Sequence, residues 1–119
     1  MTGQELYIRG REAMDAGDIE TAIHSFQQSV ELDPHFKTYE LLGECLLKGN
    51  RPQEAILPLE AASRMNRSVR AVSLLAEAHF ILGQHDKADH VADEALRRDT
   101  NNRKARAIKH EIAKQRSAS

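Results

Sequence analysis

The side chains of this chain that are best suited to catalysis or metal binding are those of six histidines and one cysteine. Imidazole and thiolate groups bind metals and act as bases or nucleophiles when several of them converge. His85 and His90 are five residues apart, so they do not stack on one helix face. Asp86 and His90 together supply only two ligands, fewer than a stable metal site needs. The spacing therefore predicts no metal site.

Motifs for catalysis or nucleotide binding are also missing from the sequence. No Ser/His/Asp or Cys/His set has a recognisable spacing, and there is no glycine-rich phosphate loop. Cys45 has no second cysteine to pair with. Its place on the apolar side of a helical pattern predicts a small buried hydrophobic residue. We expect a protein that is not an enzyme and has no cofactor.

A basic stretch ends the chain. Residues 97–119 hold 8 Lys/Arg and 2 Asp/Glu, a net charge of +6, whereas residues 1–96 hold 9 and 16, a net charge of −7. Such a stretch can contact nucleic acid, anionic lipid or an acidic partner. It lacks interleaved aromatic residues and a broad apolar face. We favour a solvated helix whose charge complements the acidic body, and nucleic-acid binding is the least favoured function.

Length and composition favour one helical domain over residues 1–119. Apolar residues make up 40% of the 119, enough for a core, and the frequent Ala, Leu, Glu, Arg and Lys favour helix. The opening ten residues lack the apolar run of a secretion signal, and no window approaches the ~20 apolar residues of a membrane span. These features, with the single cysteine, predict a cytoplasmic protein.

A repeat of 33 residues organises the chain, with Ala22, Ala55 and Ala88 in equivalent positions. Other rows in the same frame are also apolar or small, a pattern typical of stacked supersecondary units. These rows are Leu6, Tyr39 and Val72; Gly10, Gly43 and Ala76; Phe26, Leu59 and Ala92; and Ser29, Ala62 and Ala95.

Each unit predicts two helices separated by a turn. The turns contain Gly17, Gly49 and Gly83, and glycine readily adopts the left-handed conformation that ends a helix. Small residues on one helix face let the partner helix approach closely, and large ones opposite fill the gap. The units cover about residues 3–35, 36–68 and 69–101.

Local signals place several helix ends. Thr2 and Glu5 have the spacing of a capping box, and Pro34 suits the first turn of a third helix after Asp33. Pro58 lies within the fourth predicted helix and should kink it, because it removes a backbone hydrogen bond. A seventh helix, capped at position 100 or 101 and ending near 116, has one thin apolar face, as a terminal capping helix does.

The sequence resembles the tetratricopeptide repeat family. The first unit keeps the family pattern best, and the second and third keep it in part. The residues of the first unit that carry the pattern are Leu6, Gly10, Ala13, Gly17, Ala22, Phe26, Ser29 and Pro34. The resemblance implies an all-α, right-handed superhelical solenoid of antiparallel helix pairs, here with seven helices, whose first helices line a concave groove that binds partners.

Helical angles within that implied groove select twelve candidate partner-binding residues. They are Tyr7, Ile8, Arg11 and Met14 in the first unit, Lys37, Leu41, Glu44 and Leu47 in the second, and Arg70, Leu74, Glu77 and Phe80 in the third. We expect the row of Ile8, Leu41 and Leu74 to be exposed to solvent. The row of Met14, Leu47 and Phe80 either lines the groove or lies half-covered beside the core.

One branch of the family clamps the C-terminal carboxylate of chaperone peptides with Lys, Asn and Arg side chains. The matching positions here are Tyr7, Arg11, Leu41, Arg70 and Leu74, and only Arg70 keeps a suitable charge at its own site. A carboxylate bound away from water needs several converging donors. We therefore expect this chain not to form that clamp.

The predicted function is protein–protein interaction, with a peptide or helix of another protein bound in the groove. A small chaperone of the secretion type and a scaffold that associates with a second copy of itself stay open as alternatives. Membrane insertion is not expected.

Overall fold

A computed structural model describes residues 1–66 and 68–118, which form seven α-helices and no strand. The helices are α1 (Gly3–Asp15), α2 (Ile19–Leu32), α3 (Phe36–Lys48), α4 (Pro52–Met65), α5 (Val69–Ile81), α6 (His85–Arg98) and α7 (Arg103–Ala118). The prediction of an all-α fold with seven helices is confirmed. The position of Arg67, at the end of the second predicted unit, lies outside the described residues.

The first helix end is the predicted capping box. The Thr2 hydroxyl accepts from the Glu5 backbone N–H at 3.0 Å, and Glu5 Oε1 accepts from the Thr2 N–H at 3.0 Å. Each bond satisfies a backbone donor that the helix itself cannot pair. Helix α4 begins at Pro52 and continues through Pro58 to Met65, so the segment is helical as predicted.

Two other helix ends differ from the predictions. Helix α3 begins at Phe36 rather than Pro34, because Asp33 still caps α2 and donates its N–H to the Ser29 carbonyl at 2.8 Å. Pro34 therefore lies between helices, where its missing N–H costs nothing. Helix α7 begins at Arg103, and the side chain that accepts at its start is Asn102, 2.9 Å from the Ala105 nitrogen.

The turns inside the helix pairs reverse the chain through one left-handed residue. Gly17 and Gly83 have φ of 79° and 76°, as expected for glycines that end helices. In the second pair the prediction that Gly49 is the left-handed residue was wrong. Gly49 has φ of −82°, and Asn50 is left-handed instead, with φ of 60°. Asparagine is one of the few other residues that tolerate this region.

Small residues bring the two helices of each pair together. Ala22, Ala55 and Ala88 are all 0% exposed, which confirms the repeat frame. A Cβ added at Gly10 would lie 2.5 Å from a ring carbon of Phe26, and one at Gly43 would overlap the side chain of Leu59. Phe26 and Leu59 thus fill the space that glycine leaves on the facing helix.

The helices stack into an elongated solenoid of 51 × 25 × 20 Å. Consecutive helices pack on each other along the chain, and α5 also contacts both α3 and α7. Helices α3, α5 and α7 therefore share one wall, and α1 adjoins it, because Tyr7 of α1 lines a cleft together with Lys37 of α3. We call this wall the inner face. Helix α7 is an extension of that wall, because Ala105, Ile108 and Ile112 continue the 33-residue frame and are buried.

Candidate functional site

Three clefts open along the inner face. The central cleft, of about 350 Å³, lies between α3, α5 and α7 and brings together five of the predicted partner-binding residues, Glu44, Leu47, Arg70, Leu74 and Glu77. Its remaining lining residues are Lys48, Ile81 and Lys104. The cleft is lined by both apolar side chains and ion-paired side chains, a combination suited to binding a polypeptide segment.

The terminal cleft lies between α5 and α7. It measures about 690 Å³ and includes Glu77 and Phe80 from the predicted set. Its other lining residues are Ile81, Arg103, Lys104, Ala107, Ile108 and Glu111. Ile81 is 51% exposed and lines both this cleft and the central one. A large aliphatic side chain half in water is a natural anchor point for a partner.

The N-terminal cleft, of about 340 Å³, contains Tyr7 and Lys37 from the predicted set. Its other lining residues are Gly3, Gln4, Ser29, Asp33, His35 and Thr38. Ile8, Arg11 and Met14 line none of the three clefts. Their role in partner binding stays a prediction.

The expected exposure of one apolar row was wrong for two of its three members. Leu41 and Leu74 are only 6% and 4% exposed, whereas Ile8 is 47% exposed. Leu74 belongs to the core cluster built from the first two helix pairs, not to the cluster around α6 and α7. The position shared by Ile8, Leu41 and Leu74 in the 33-residue frame therefore faces the preceding helix pair. Among the described residues no pair precedes α1, so Ile8 is left uncovered.

The second apolar row lies half-buried beside the core. Met14 and Leu47 pack against the core cluster of the first two helix pairs, and Phe80 packs against that of the third pair and α7. The ring of Phe80 stacks on His85 with centroids 5.3 Å apart. Since Leu47 and Phe80 also line clefts, this row contributes to both the core and the inner face.

Glu40 of α3 is a buried acid, with only 1% of its surface exposed. Its carboxylate accepts from Lys37 Nζ at 2.8 Å and from the Ser68 hydroxyl at 2.7 Å, and Arg70 Nε lies 3.8 Å away. These donors come from α3, the α4–α5 connection and α5. A buried carboxylate is tolerated only when such donors surround it, so Glu40 ties the second helix pair to the third.

Ion pairs join successive inner helices. Glu44 of α3 pairs with Arg70 of α5, and Glu77 of α5 pairs with Lys104 of α7 at 3.0 Å. Lys48 also lies 3.3 Å from Glu44. The two acids occupy the same position of the 33-residue frame, and each receives a cation from the next inner helix.

The basic end of the chain is largely neutralised within the fold. Three cations of α7, Lys104, Lys109 and Arg116, pair with acids of α5 or α6, as the preferred interpretation of a complementary capping helix predicted. Arg97 and Arg98 pair with Glu94 of their own helix, α6. Lys109 lies 2.8 Å from Asp89 and 2.7 Å from Asp93, and hydrogen bonds to these carboxylates raise its pKa. Little of the cationic charge is then left to attract nucleic acid.

Cys45 and His79 are both buried side chains. Cys45 is fully buried as predicted, and burial raises the pKa of its thiol to about 11. His79 is buried too, with Nδ1 2.7 Å from Gln84 Oε1. Among residues 1–66 and 68–118, no three His, Cys, Asp or Glu side chains converge as metal ligands would. Within the same residues no helix has the length and apolarity that crossing a bilayer requires.

Sequence reasoning missed the contribution of α7 to the inner face. Lys104, Ala107 and Ile108 line clefts with α5, although the basic segment was interpreted as a cap. A signal was present, since Ile108 continues the frame of Leu42 and Leu75. Extending the repeat by one further helix would have placed α7 beside α5.

A row of helix pairs with an inner face of clefts defines a helical repeat protein of the kind that binds other polypeptides. A model of the tetratricopeptide repeat family matches residues 7–67, about half of the chain. The chain therefore belongs to the tetratricopeptide repeat family, which confirms the resemblance.

Individual relatives match over nearly the whole chain. The rat DnaJ homolog subfamily C member 3 is 27% identical over 115 residues, which cover 93% of this chain but 22% of that protein. Among solved structures, MamA aligns with a TM-score of 0.91 at 24% identity, covering 97% of this chain and 68% of its own. The first TPR of Spaghetti (RPAP3), bound to an HSP90 peptide, aligns with a TM-score of 0.90 at 21% identity, covering 99% and 94%. These structures share the fold.

Proposed function

We propose that this chain acts by binding, not by catalysis, and that its inner face holds a peptide or helical segment of another protein. The observation that carries this proposal is Ile81, 51% exposed at the junction of the central and terminal clefts. Phe80, Leu47 and Ile108 supply apolar surface around it. Apolar anchors that enter such clefts provide most of the affinity in recognition of this type. The free thiol of Cys45 supports a cytoplasmic location, since free cysteines persist in reducing compartments.

The peptide class should differ from that of the chaperone-tail binders. The first TPR of Spaghetti binds an HSP90 peptide. In this chain the corresponding cation, Arg70, is already paired with Glu40 and Glu44, and Leu41 and Leu74 are buried. A terminal carboxylate would have to compete with two acids of the chain itself, so we propose apolar side chains as the main determinants.

The test uses two exposed apolar residues as a matched pair. Ile81→Asp places a charge between the two clefts, and Leu57→Asp places the same charge on α4, where Leu57 is 73% exposed and lines none of the inner clefts. Binding proteins are captured with the wild-type chain from cells that make it. Each captured protein is then purified, and its Kd is measured by calorimetry against all three chains.

We expect Ile81→Asp to weaken binding about tenfold or more and Leu57→Asp to leave it unchanged, because only the first variant charges an anchor pocket. Circular dichroism should show equal helicity, since both residues are exposed. Equal Kd values for the wild type and Ile81→Asp would refute the proposal.

A self-associating scaffold is the second candidate, favoured by Ile8. Ile8 occupies the register in which Leu41 and Leu74 pack against a preceding helix pair, yet it is 47% exposed. A second copy stacked on α1 would cover it. Sedimentation velocity over a wide concentration range decides the matter: association that Ile8→Glu abolishes supports the scaffold, and a monomer throughout excludes it.

A further inference from the structure

The two ends of the solenoid carry opposite charge. Residues 3–32, which form α1 and α2, hold 2 Lys/Arg and 6 Asp/Glu, a net charge of −4. Residues 103–118, which form α7, hold 6 Lys/Arg and 1 Asp/Glu, a net charge of +5. Among the described residues no helix lies before α1 or after α7, so each of these helices has one side without a neighbour. The chain thus presents an acidic end and a basic end.

At the basic end, three cations are left over after the fold has paired the others. Arg103, Arg106 and Lys114 are exposed, and none of them forms an ion pair with an acid of the described chain. The other three cations of α7 pair with acids of α5 or α6. Because residues 3, 8 and 11 positions apart lie on one side of a helix, the unpaired cations share one surface, which we call the basic face of α7.

At the acidic end, an exposed apolar side chain lies between two acids. Glu5 and Glu12 are three residues before and four residues after Ile8, so the three share one side of α1, which we call the acidic face. Glu12 has no ion pair within the described chain, and Glu5 accepts only a backbone N–H of its own helix cap, at 3.0 Å. Arg9 borders this face, but its guanidinium contacts the Met1 sulfur at 3.8 Å and pairs with neither acid. Both carboxylates are therefore available to cations of another molecule.

The repeat frame indicates how two such ends would meet. On the inner face an acid of the earlier helix pairs with a cation of the later one, as Glu77 of α5 does with Lys104 of α7 at 3.0 Å. At the position of Glu77, α7 has His110, one turn after Arg106. At the position of Lys104, α1 has Glu5. An α1 that followed α7 as α7 follows α5 would therefore place an acid opposite basic side chains, which is the same contact with its charges reversed.

We propose that two copies of this chain associate head to tail, with the basic face of α7 on one copy against the acidic face of α1 on the other. Glu5 and Glu12 then meet Arg106 and Lys114, and Ile8 is covered as its counterparts in the later repeats are. Contact between two like ends would bring like charges together, which costs affinity. This inference rests on self-association, the second candidate of the proposed function, and adds the surface that the partner copy uses.

A contact between two different surfaces leaves one face of each kind free at the ends of a dimer. Further copies can add to these faces, so the assembly is a row or a ring. In the described chain a single helix forms the basic end, so the contact is small, and we expect a weak association that salt weakens further. The inner face stays open, since Ile81 belongs to neither surface.

The experiment changes the charge of each face separately. The tail variant carries Arg106→Glu and Lys114→Glu. The head variant carries Glu12→Lys and Glu5→Gln, because a glutamine keeps the capping bond to the Thr2 N–H. None of the four substituted side chains lines a cleft of the inner face, so binding of a polypeptide there is not altered.

The matched control reverses two exposed cations elsewhere, with Arg64→Glu on α4 and Lys87→Glu on α6, and changes the net charge as much as the tail variant does. Sedimentation velocity of the full chain is measured over a wide concentration range, for each chain alone and for an equimolar mixture of the head and tail variants. Runs at about 0.1 M and about 1 M salt compare screening lengths of about 10 Å and about 3 Å. Circular dichroism should show equal helicity in all chains, since the substituted residues are exposed.

We expect the wild type and the control to associate at the lower salt concentration and to dissociate at the higher one. The head and tail variants should each associate about tenfold or more weakly when alone, because repulsion replaces attraction. Their mixture should associate again, because the unchanged α7 of the head variant meets the unchanged α1 of the tail variant.

Three outcomes overturn the head-to-tail contact and leave self-association through Ile8 standing. They are a tail variant that associates as strongly as the wild type, a mixture that remains monomeric, and an equal loss of association in the control. A wild type that stays monomeric at every concentration excludes self-association as well, and leaves the proposed binding of a polypeptide on the inner face untouched.

Discussion

The ammonium of Lys104 on α7 lies 3.0 Å from the Glu77 carboxylate on α5. This contact joins the last helix to the inner face, and both residues line the central and terminal clefts. The basic end of the chain is thereby part of the candidate binding surface as well as a cover for the third helix pair.

Reversing one charge of this pair should destabilise the fold by a small amount. Both side chains are about a third exposed, at 40% for Lys104 and 31% for Glu77, so water screens the interaction. We expect Glu77→Lys to lower the free energy of unfolding by about 0.5–1 kcal/mol. Adding Lys104→Glu should restore most of the loss. Urea unfolding of the wild type, both single variants and the double variant measures the coupling, and strictly additive effects would show that the contact contributes nothing.

The buried carboxylate of Glu40 should depend on its shape and hydrogen bonds more than on its charge. Lys37 and Arg70 are half-exposed and can be solvated without it, whereas the Ser68 hydroxyl donates to it at 2.7 Å. Glu40→Gln keeps an acceptor of the same size, and we expect a loss within about 1 kcal/mol. Glu40→Ala leaves a cavity and should cost about 2–3 kcal/mol. Equal losses in thermal or urea unfolding would contradict this ranking.

The close contact of α3 with α4 should make Gly43 intolerant of even a methyl group. A Cβ at this position overlaps the Leu59 side chain, which is fully buried. Gly43→Ala is expected to destabilise the protein by about 1–3 kcal/mol, although alanine normally favours a helix. In a Leu59→Ala background the same change should cost little, because space has been made. An equal cost in both backgrounds, measured by urea unfolding, would contradict the steric explanation.

The thiol of Cys45 should be inert in the folded protein and should couple stability to alkaline pH. Burial raises its pKa from the ordinary 9.0 to about 11, so the unfolded chain releases the proton first. Stability from this group is complete below pH 9 and declines between pH 9 and 11, by about 2–3 kcal/mol in total. Since lysines and tyrosines also titrate there, the quantity to compare is the difference between the wild type and Cys45→Ala. A difference that stays constant with pH, or rapid labelling of the folded wild type by a thiol reagent, would contradict this prediction.

Much of the fold could be predicted because the repeat encodes it locally. Ala22, Ala55 and Ala88 recur at a fixed spacing, and a helix pair can bury such a face only against another pair. The capping box of Thr2 and Glu5 depends on residues three apart and was also readable. Helix ends that depend on competition between adjacent helices were harder to predict. Asp33 caps the C-terminus of α2, and α3 therefore begins only at Phe36.

The candidate site was predicted less well, for a reason visible in one row. Ile8, Leu41 and Leu74 have equivalent positions around their helices, so helical angle alone predicts the same exposure for all three. Leu41 and Leu74 are nevertheless buried while Ile8 is exposed, because within the described residues only the two leucines have a helix pair stacked before them. Exposure in a solenoid depends on the neighbouring repeat as well as on the helix.

The sequence by itself determined the helix count, the family and the tight small-to-large packing within each pair, since these follow from spacings of at most 33 residues. Only the tertiary structure decided which inner-face charges remain available to a partner. Glu44 and Arg70, or Glu77 and Lys104, are 26 and 27 residues apart and meet only when successive pairs stack. Their neutralisation arises from that stacking geometry.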